Sequence, residues 1–135
     1  MEQLLVGRKF KLERRITPEV TADRYGNKGV EVFATPALIA LLEETAIQCI
    51  FPTLNPGQGS VGTRVDVQHL AATPLGMTVT AHAEVAEIDG QRVQFRVEAY
   101  DDREQIATGT HERFIVNSIE KFLARALDKA KGEGG

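Results

Sequence analysis

The segment TPALIALLEETAIQCI at residues 35–50 constrains the fold more than any other part of the sequence. Thr35 is a good helix N-cap, and Pro36 is tolerated at the first helical position because its missing N–H has no partner there. Pro52 interrupts the pattern, so we predict a helix that ends near Ile50. Apolar side chains cover more than half of its circumference, at Leu38, Ile39, Leu41, Leu42, Ala46, Cys49 and Ile50. Other elements must enclose such a helix.

Strands are the elements that can enclose it. Four segments alternate in polarity or are rich in β-branched residues, and Asp89-Gly90 favours a hairpin between the second and the third. These predicted strands are residues 60–70, 77–88, 91–101 and 105–116. The other predicted elements are a first strand at 7–16, a loop or lid at 17–30 and a closing helix at 119–129. An antiparallel meander curling around one apolar helix is an α+β arrangement.

Size and charge exclude several classes of protein. A length of 135 residues suits one domain spanning 1–135, with residues 131–135 as a disordered tail. No segment has the length of a signal peptide or a membrane span, and the net charge of -3 comes without a basic stripe. Cys49 is the single cysteine, and the three histidines lack metal-ligand spacing. We expect a cytoplasmic protein without a metal and without a nucleic acid or membrane partner.

Glu43 is an unusual residue for its position. Its neighbours three and four residues away along the helix are all apolar, so the carboxylate is directed at a surface that should be buried. Either it reaches water at the edge of the helix, or it is held inside by a partner, because burying a lone charge is expensive. A carboxylate in the second situation is suited to act as a general base near neutral pH.

His69 and Thr35 also combine a structural and a chemical interpretation. His69 continues the apolar face of its strand after Val61, Thr63, Val65 and Val67, where a histidine is either a hydrogen-bonded core residue or a catalyst. Thr35 can serve as a cap, but a helix N-terminus can also hold a carbonyl oxygen that becomes an oxyanion. Gly59 and Gly62 flank the start of the strand, where they indicate a bulge or turn, or the close approach of a ligand.

Three segments carry a resemblance to a known family: EVFATPALIALLEETA (31–46), GQGSVGTRVDVQHLAATPLGMTVT (57–80) and ATGTHERFIV (107–116). Their order and spacing resemble the hot-dog thioesterases related to fluoroacetyl-CoA thioesterase, over about residues 5–125. The resemblance implies a hot-dog fold, in which a curved antiparallel sheet wraps around a long central helix. It also implies hydrolysis of a short-chain acyl-CoA.

The resemblance assigns site residues by position. It places the catalytic threonine, glutamate and histidine at Thr35, Glu43 and His69. Substrate-binding positions fall at Gly62, beside the acyl group, and at Arg113, near the CoA end; Gly59 and Pro36 border them. Members of this family have their sites at a dimer interface, which implies a homodimer without a metal or prosthetic group.

One segment departs from the family pattern. Phenylalanines that gate the acyl pocket precede the EVFAT motif in the fluoroacetyl-specific members, whereas this chain has RYGNKGV, with Gly26 and Gly29 near those positions. The departure implies a more open pocket and another short acyl group. Water attack and a covalent acyl-enzyme remain equally compatible with the three residues. Two other functions stay open: a non-catalytic acyl-CoA-binding module, and a hydratase on the same fold.

Overall fold

The helix predicted from residues 35–50 is present in the computed structural model, which describes residues 2–132. This helix, α1, spans Thr35–Ile50. The prediction that Thr35 is its N-cap is wrong: Ala34 is the N-cap, Thr35 is the first helical residue, and no side chain caps the helix. The Thr35 hydroxyl lies instead at hydrogen-bond distance from His69.

Five strands form one antiparallel sheet. They are β1 (Lys9–Arg15), β2 (Gly59–His69), β3 (Thr78–Asp89), β4 (Arg92–Tyr100) and β5 (Gln105–Val116). All five were predicted to within two residues at each end. Their order is β1-β3-β4-β5-β2, so only β3, β4 and β5 form a meander. The expectation of a four-strand meander is wrong because β2 crosses to the far edge and pairs with β5, while β1 pairs with β3.

One side of α1 packs on the sheet and the other side is open. Leu38, Ala46 and Cys49 have no exposed surface and pack in one core with residues of the central strands such as Val85, Val93 and Phe95. On the opposite side, Ile47 is 38% exposed, and Phe51, just after the helix, is 66% exposed. The single chain therefore encloses the helix only in part.

A β-bulge changes which residues of β2 face α1. The pairing with β5 shifts between Gly62 and Arg64, which reverses the alternation of side chains on either side of the bulge. Val65 and Val67 share the inner face with His69, as predicted, but Val61 and Thr63 do not. Gly62 faces inward instead, because it pairs with the buried Arg113.

The remaining segments are short turns and a C-terminal helix. The predicted loop at 17–30 contains two 3-10 turns, Pro18–Val20 and Ala22–Tyr25. The closing helix, α2, spans Ile119–Ala130 and is capped by Ser118. Of the predicted tail at 131–135, residues 133–135 lie outside the described residues, whereas Lys131 and Gly132 hydrogen bond to the last turn of α2. Among the described residues, no helix is long and apolar enough to cross a membrane.

Candidate active site

Thr35 and His69 meet where α1 begins and β2 ends. The Thr35 Oγ1 and His69 Nδ1 atoms are 2.8 Å apart. Thr35 is in the first turn of α1, and His69 is the last residue of β2, so the packing of one element against the other brings them together. A hydroxyl at this distance from an imidazole nitrogen has the geometry of a nucleophile beside its base.

The ring of His69 is neutral at neutral pH. Burial lowers the pKa of His69 below its usual 6.5, against a weaker opposing effect of the Ala71 backbone. Its second nitrogen, Nε2, is buried and has no hydrogen-bond partner within the described part of the chain. A neutral ring can accept the proton of the Thr35 hydroxyl at Nδ1.

A cavity adjoins this pair. Its volume is about 350 Å³, and both Thr35 and His69 line it. The rest of the wall is mainly aliphatic, with one amide, and consists of Ala22, Asn27, Val30, Val32, Phe33, Leu70, Ala71 and Ala72. An apolar group bound here would lie beside the hydroxyl and the imidazole.

The N-terminus of α1 supplies hydrogen-bond donors at the same place. Leu38 is the first residue of the helix whose N–H bonds back to a carbonyl, that of Ala34 at 2.9 Å. Pro36 has no N–H, so the amides of Thr35 and Ala37 are the donors that the first turn can offer to a ligand. Together with the partial positive charge of the helix end, they can stabilise an oxyanion.

Glu43 belongs to a second cluster, two turns further along α1. Its Oε2 accepts a hydrogen bond from Arg113 Nη1 at 3.3 Å, and its side chain is 38% exposed. The guanidinium is buried and also donates to Ser60, at 2.8 Å to Oγ and 3.0 Å to the carbonyl oxygen. Burial lowers the pKa of Arg113 and the Glu43 charge opposes that shift. Glu43 thus lies at an edge, as one interpretation expected, but it is held by a buried cation.

His111 completes this cluster and was missed by the sequence analysis. Its ring is 2% exposed, its Nδ1 donates to the Arg64 carbonyl at 2.8 Å, and its Nε2 accepts from Arg113 at 3.1 Å. Burial, with Arg113 as a further cause, lowers the pKa of His111, so the ring is neutral and orients the guanidinium. The signal was present in the sequence, since His111 alternates with Arg113 on the apolar face of β5.

Two glycines have different neighbours. A Cβ on Gly62 would lie 2.7 Å from Glu43 Oε2 and 3.2 Å from Arg113 Nη1, so a side chain here would displace the Glu43 carboxylate from its present position. A Cβ on Gly59 would lie 2.9 Å from the Ile119 side chain. The space at Gly59 is therefore taken by α2, and its part in substrate binding stays a prediction. The exposed Pro36 lies in the first turn of α1.

The two clusters are separate within one chain. Eight residues along a helix correspond to about 12 Å, which is the distance along α1 between the levels of Thr35 and Glu43. Thr35 contacts His69, whereas Glu43 contacts Arg113, and neither His69 nor Thr35 bonds to Glu43 among the described residues. Within residues 2–132 there is also no group of three His, Cys, Asp or Glu side chains that could hold a metal ion.

Comparisons with known proteins agree with this architecture. The model of the fluoroacetyl-CoA-specific thioesterase family matches residues 16–119. The fluoroacetyl-CoA thioesterase of Streptantibioticus cattleyicolor is 44% identical over 99 residues, or 73% of this chain and 70% of that protein. A solved fluoroacetyl-CoA thioesterase superposes with a TM-score of 0.88 at 36% identity, over 95% of this chain and 98% of that one. A thioesterase superfamily member from Thermus thermophilus superposes with a TM-score of 0.88 at 28% identity, over 98% of this chain and 100% of that one.

Proposed function

Because the chain belongs to the fluoroacetyl-CoA-specific thioesterase family and is a thioester hydrolase with the hot-dog fold, we propose that its substrate is a short-chain acyl-CoA. The observation that carries this proposal is the 2.8 Å contact of Thr35 with His69, at the N-terminus of α1 and at the wall of an aliphatic cavity. A thioester whose acyl group fills the cavity has its carbonyl carbon beside the hydroxyl. Its carbonyl oxygen then lies beside the amides of the first turn.

The reaction that this arrangement favours has two steps. Thr35 Oγ1 attacks the carbonyl carbon while His69 Nδ1 takes the hydroxyl proton, and the helix amides stabilise the oxyanion. The C–S bond then breaks, the proton returns from His69 to the CoA sulfur, and an acyl ester remains on Thr35. Water activated by Glu43 hydrolyses this ester to the free acid. An acyl adduct on Thr35, seen as added mass after rapid quenching, separates this route from direct attack by water.

Glu43 can take part only if a second subunit brings it to the hydroxyl, so the proposal includes a homodimer. Within the described chain, β2 pairs only with β5, and its other edge is open. Two β2 strands can join antiparallel across a two-fold axis. An axis through Asp66, with the extra residue of the β2 bulge taken into account, puts Gly62, and with it Glu43, opposite the partner's His69. The open side of α1, with Ile47, would be covered at the same time.

Arg113 has a positioning role in this scheme. Its guanidinium is only 4% exposed and is already bonded to Ser60, Glu43 and His111. A charge so enclosed orients the Glu43 carboxylate, and the position near the CoA end that the resemblance implies for Arg113 stays a prediction. No added cofactor is needed for hydrolysis. Since Cys49 is a free, buried thiol, we also propose the reducing cytoplasm as its location.

The acyl specificity follows from the segment beside the cavity. Gly26 and Gly29 have φ values of 97° and 84°, a left-handed backbone that a phenylalanine rarely adopts. No atom outside the adjacent residues lies within 4 Å of a Cβ built on either glycine. We therefore propose that this chain lacks an aromatic gate at these positions and does not depend on fluorine in the acyl group.

A panel of acyl-CoA substrates tests the proposed function. Fluoroacetyl-, acetyl-, propionyl- and butyryl-CoA are each incubated with the full chain, and released CoA thiol is measured with DTNB. We expect thiol release from each, with kcat/KM for fluoroacetyl-CoA within about 200-fold of that for acetyl-CoA, because one small group in an open pocket changes binding by about 1–3 kcal/mol at most. Saturable binding without thiol release would instead indicate a binding module. Hydration of an enoyl-CoA would indicate a hydratase.

The pH dependence of the reaction tests His69 as the base. Protonation of the ring removes the acceptor for the Thr35 proton, so kcat/KM should fall on the acid side. Because burial lowers the pKa of His69 below 6.5, the midpoint of that fall should lie below pH 6.5 in the free enzyme. The measurement is kcat/KM between pH 4.5 and pH 8 with acetyl-CoA, in roughly half-unit steps. A midpoint well above 6.5 would contradict a neutral, desolvated ring.

A further inference from the structure

Helix α2 carries an exposed apolar stripe. Its apolar residues recur every three or four positions, which places them on one face of the helix. They include Ile119, Phe122, Leu123 and Leu127, whose exposed fractions are 43%, 43%, 52% and 60%. No residue of α2 is buried, and its opposite face carries Lys121, Arg125 and Asp128.

This stripe needs a partner. A helix of 12 residues is only marginally stable in water, so the stability of such helices in proteins comes from packing of the apolar face. Burial of Leu and Phe side chains stabilises a protein, and here four large side chains leave much of that contribution unrealised. Some surface should therefore cover α2 in solution.

The attachment of α2 indicates which surface that is. The Ile119 amide donates to the Gly57 carbonyl at 2.9 Å, and the Ile119 side chain lies directly over Gly59. Helix α2 thus starts at the first residue of β2, the strand with the open edge. The far end of β2, at His69, is ten residues away, or about 33 Å. A 12-residue helix is about 18 Å long and cannot reach the cavity of its own chain.

The cavity of a second copy is within reach. In the antiparallel β2 pairing proposed above, Gly59 lies opposite the partner's Ala72, which lines the partner's cavity. The rim of this cavity carries two exposed apolar side chains, Leu70 at 52% and Val30 at 37%. We propose that the apolar stripe of α2 packs on this rim and forms an outer wall of the acyl site of the partner subunit. This inference rests on the proposed dimer.

Thiol cross-linking tests the contact without relying on activity. In the full chain, Leu70→Cys and Leu123→Cys are combined and treated with a short bismaleimide. We expect a covalent dimer, because the two positions meet only between subunits. The matched control combines Leu70→Cys with Arg125→Cys, which lies on the polar face of α2 and should cross-link several-fold less. Each single variant controls for the native Cys49 and for other pairings.

Kinetics provide a second test. Leu123→Glu with Leu127→Glu should raise KM for butyryl-CoA about tenfold, since a charged stripe cannot cover the acyl site. Arg125→Glu, on the other face, should change KM less than twofold. Three outcomes would overturn the inference. The two cysteine pairs could cross-link equally, or the cross-link could form only within a monomer. The third outcome is that no cross-link forms and the chain sediments with phosphatidylserine vesicles. Thioesterase activity that persists in such a case would leave the proposed function standing.

Discussion

Replacing Glu43 by Gln is expected to lower kcat/KM for acyl-CoA hydrolysis by a factor of about 10²–10⁴, the usual contribution of a positioned general base. Glutamine keeps the shape of the side chain and an oxygen that can accept the Arg113 hydrogen bond, but it cannot take a proton from water. If deacylation becomes the slow step, the acyl ester on Thr35 should accumulate in this variant. Thiol release and intact mass after quenching measure both effects.

Glu44→Gln is the matched control for this variant. Glu44 is the next residue of α1, but it points to the exposed side and pairs with Arg14 at 2.6 Å. Exposed pairs of this kind contribute little to stability, so activity should stay within about twofold of the parent chain. Thermal unfolding of both variants separates loss of catalysis from loss of fold. Undiminished turnover by Glu43→Gln would remove the carboxylate from the mechanism.

The elements of this fold could be predicted from local pattern, but the order of the strands could not. Periodicity and prolines located α1, and alternation with turn residues located the five strands, because both signals depend on neighbours in sequence. The position of β2 beside β5 depends on pairing between residues about 50 positions apart. No local feature of 59–69 distinguishes that edge from a place beside β3.

The bulge in β2 had a larger consequence for the site than for the fold. Strict alternation put Val61 and Thr63 on the inner face, whereas the extra residue moves Gly62 there instead. Gly62 then leaves the space that Glu43 and Arg113 occupy. A glycine in a strand indicates either a bulge or a close approach, and at this position both descriptions hold.

Some of the site residues could be identified from the sequence and others could not, for a physical reason. Glu43 and His69 each conflict with their apolar surroundings, and Thr35 lies at the predicted start of a helix, so all three are visible in a sequence. His111 and Ser60 act through Arg113, and their importance appears only when β2 and β5 pair. The contact between Thr35 and His69 fits the predicted chemistry, and within one chain Glu43 bonds to Arg113 and not to His69.

A mixture of two inactive variants is expected to regain activity if the site is shared between subunits. Glu43→Gln retains Thr35 and His69, and His69→Ala retains Glu43. In a mixed dimer of the two, one site combines both changes and the other combines neither. Random exchange makes half of the dimers mixed, so activity should recover to roughly a quarter of that of the parent chain. Each variant alone should stay near 1% or below, on the order of one general base lost.

The mixing experiment requires subunit exchange, for example by dilution from mild denaturant and refolding together, with each variant refolded alone in parallel. Two-tagged purification of the mixed dimer removes dependence on the exchange ratio, and this species should show about half of the parent activity because one of its two sites is intact. The control pairs Glu43→Gln with Thr35→Ala, which should recover equally, since Thr35 and His69 lie in one chain at 2.8 Å. Pairing Thr35→Ala with His69→Ala should recover nothing, because every site then lacks one member of that dyad. No recovery in the first two mixtures would mean that Glu43 is not supplied across the subunit interface. Recovery in the last mixture would mean that Thr35 and His69 do not act as a pair within one chain.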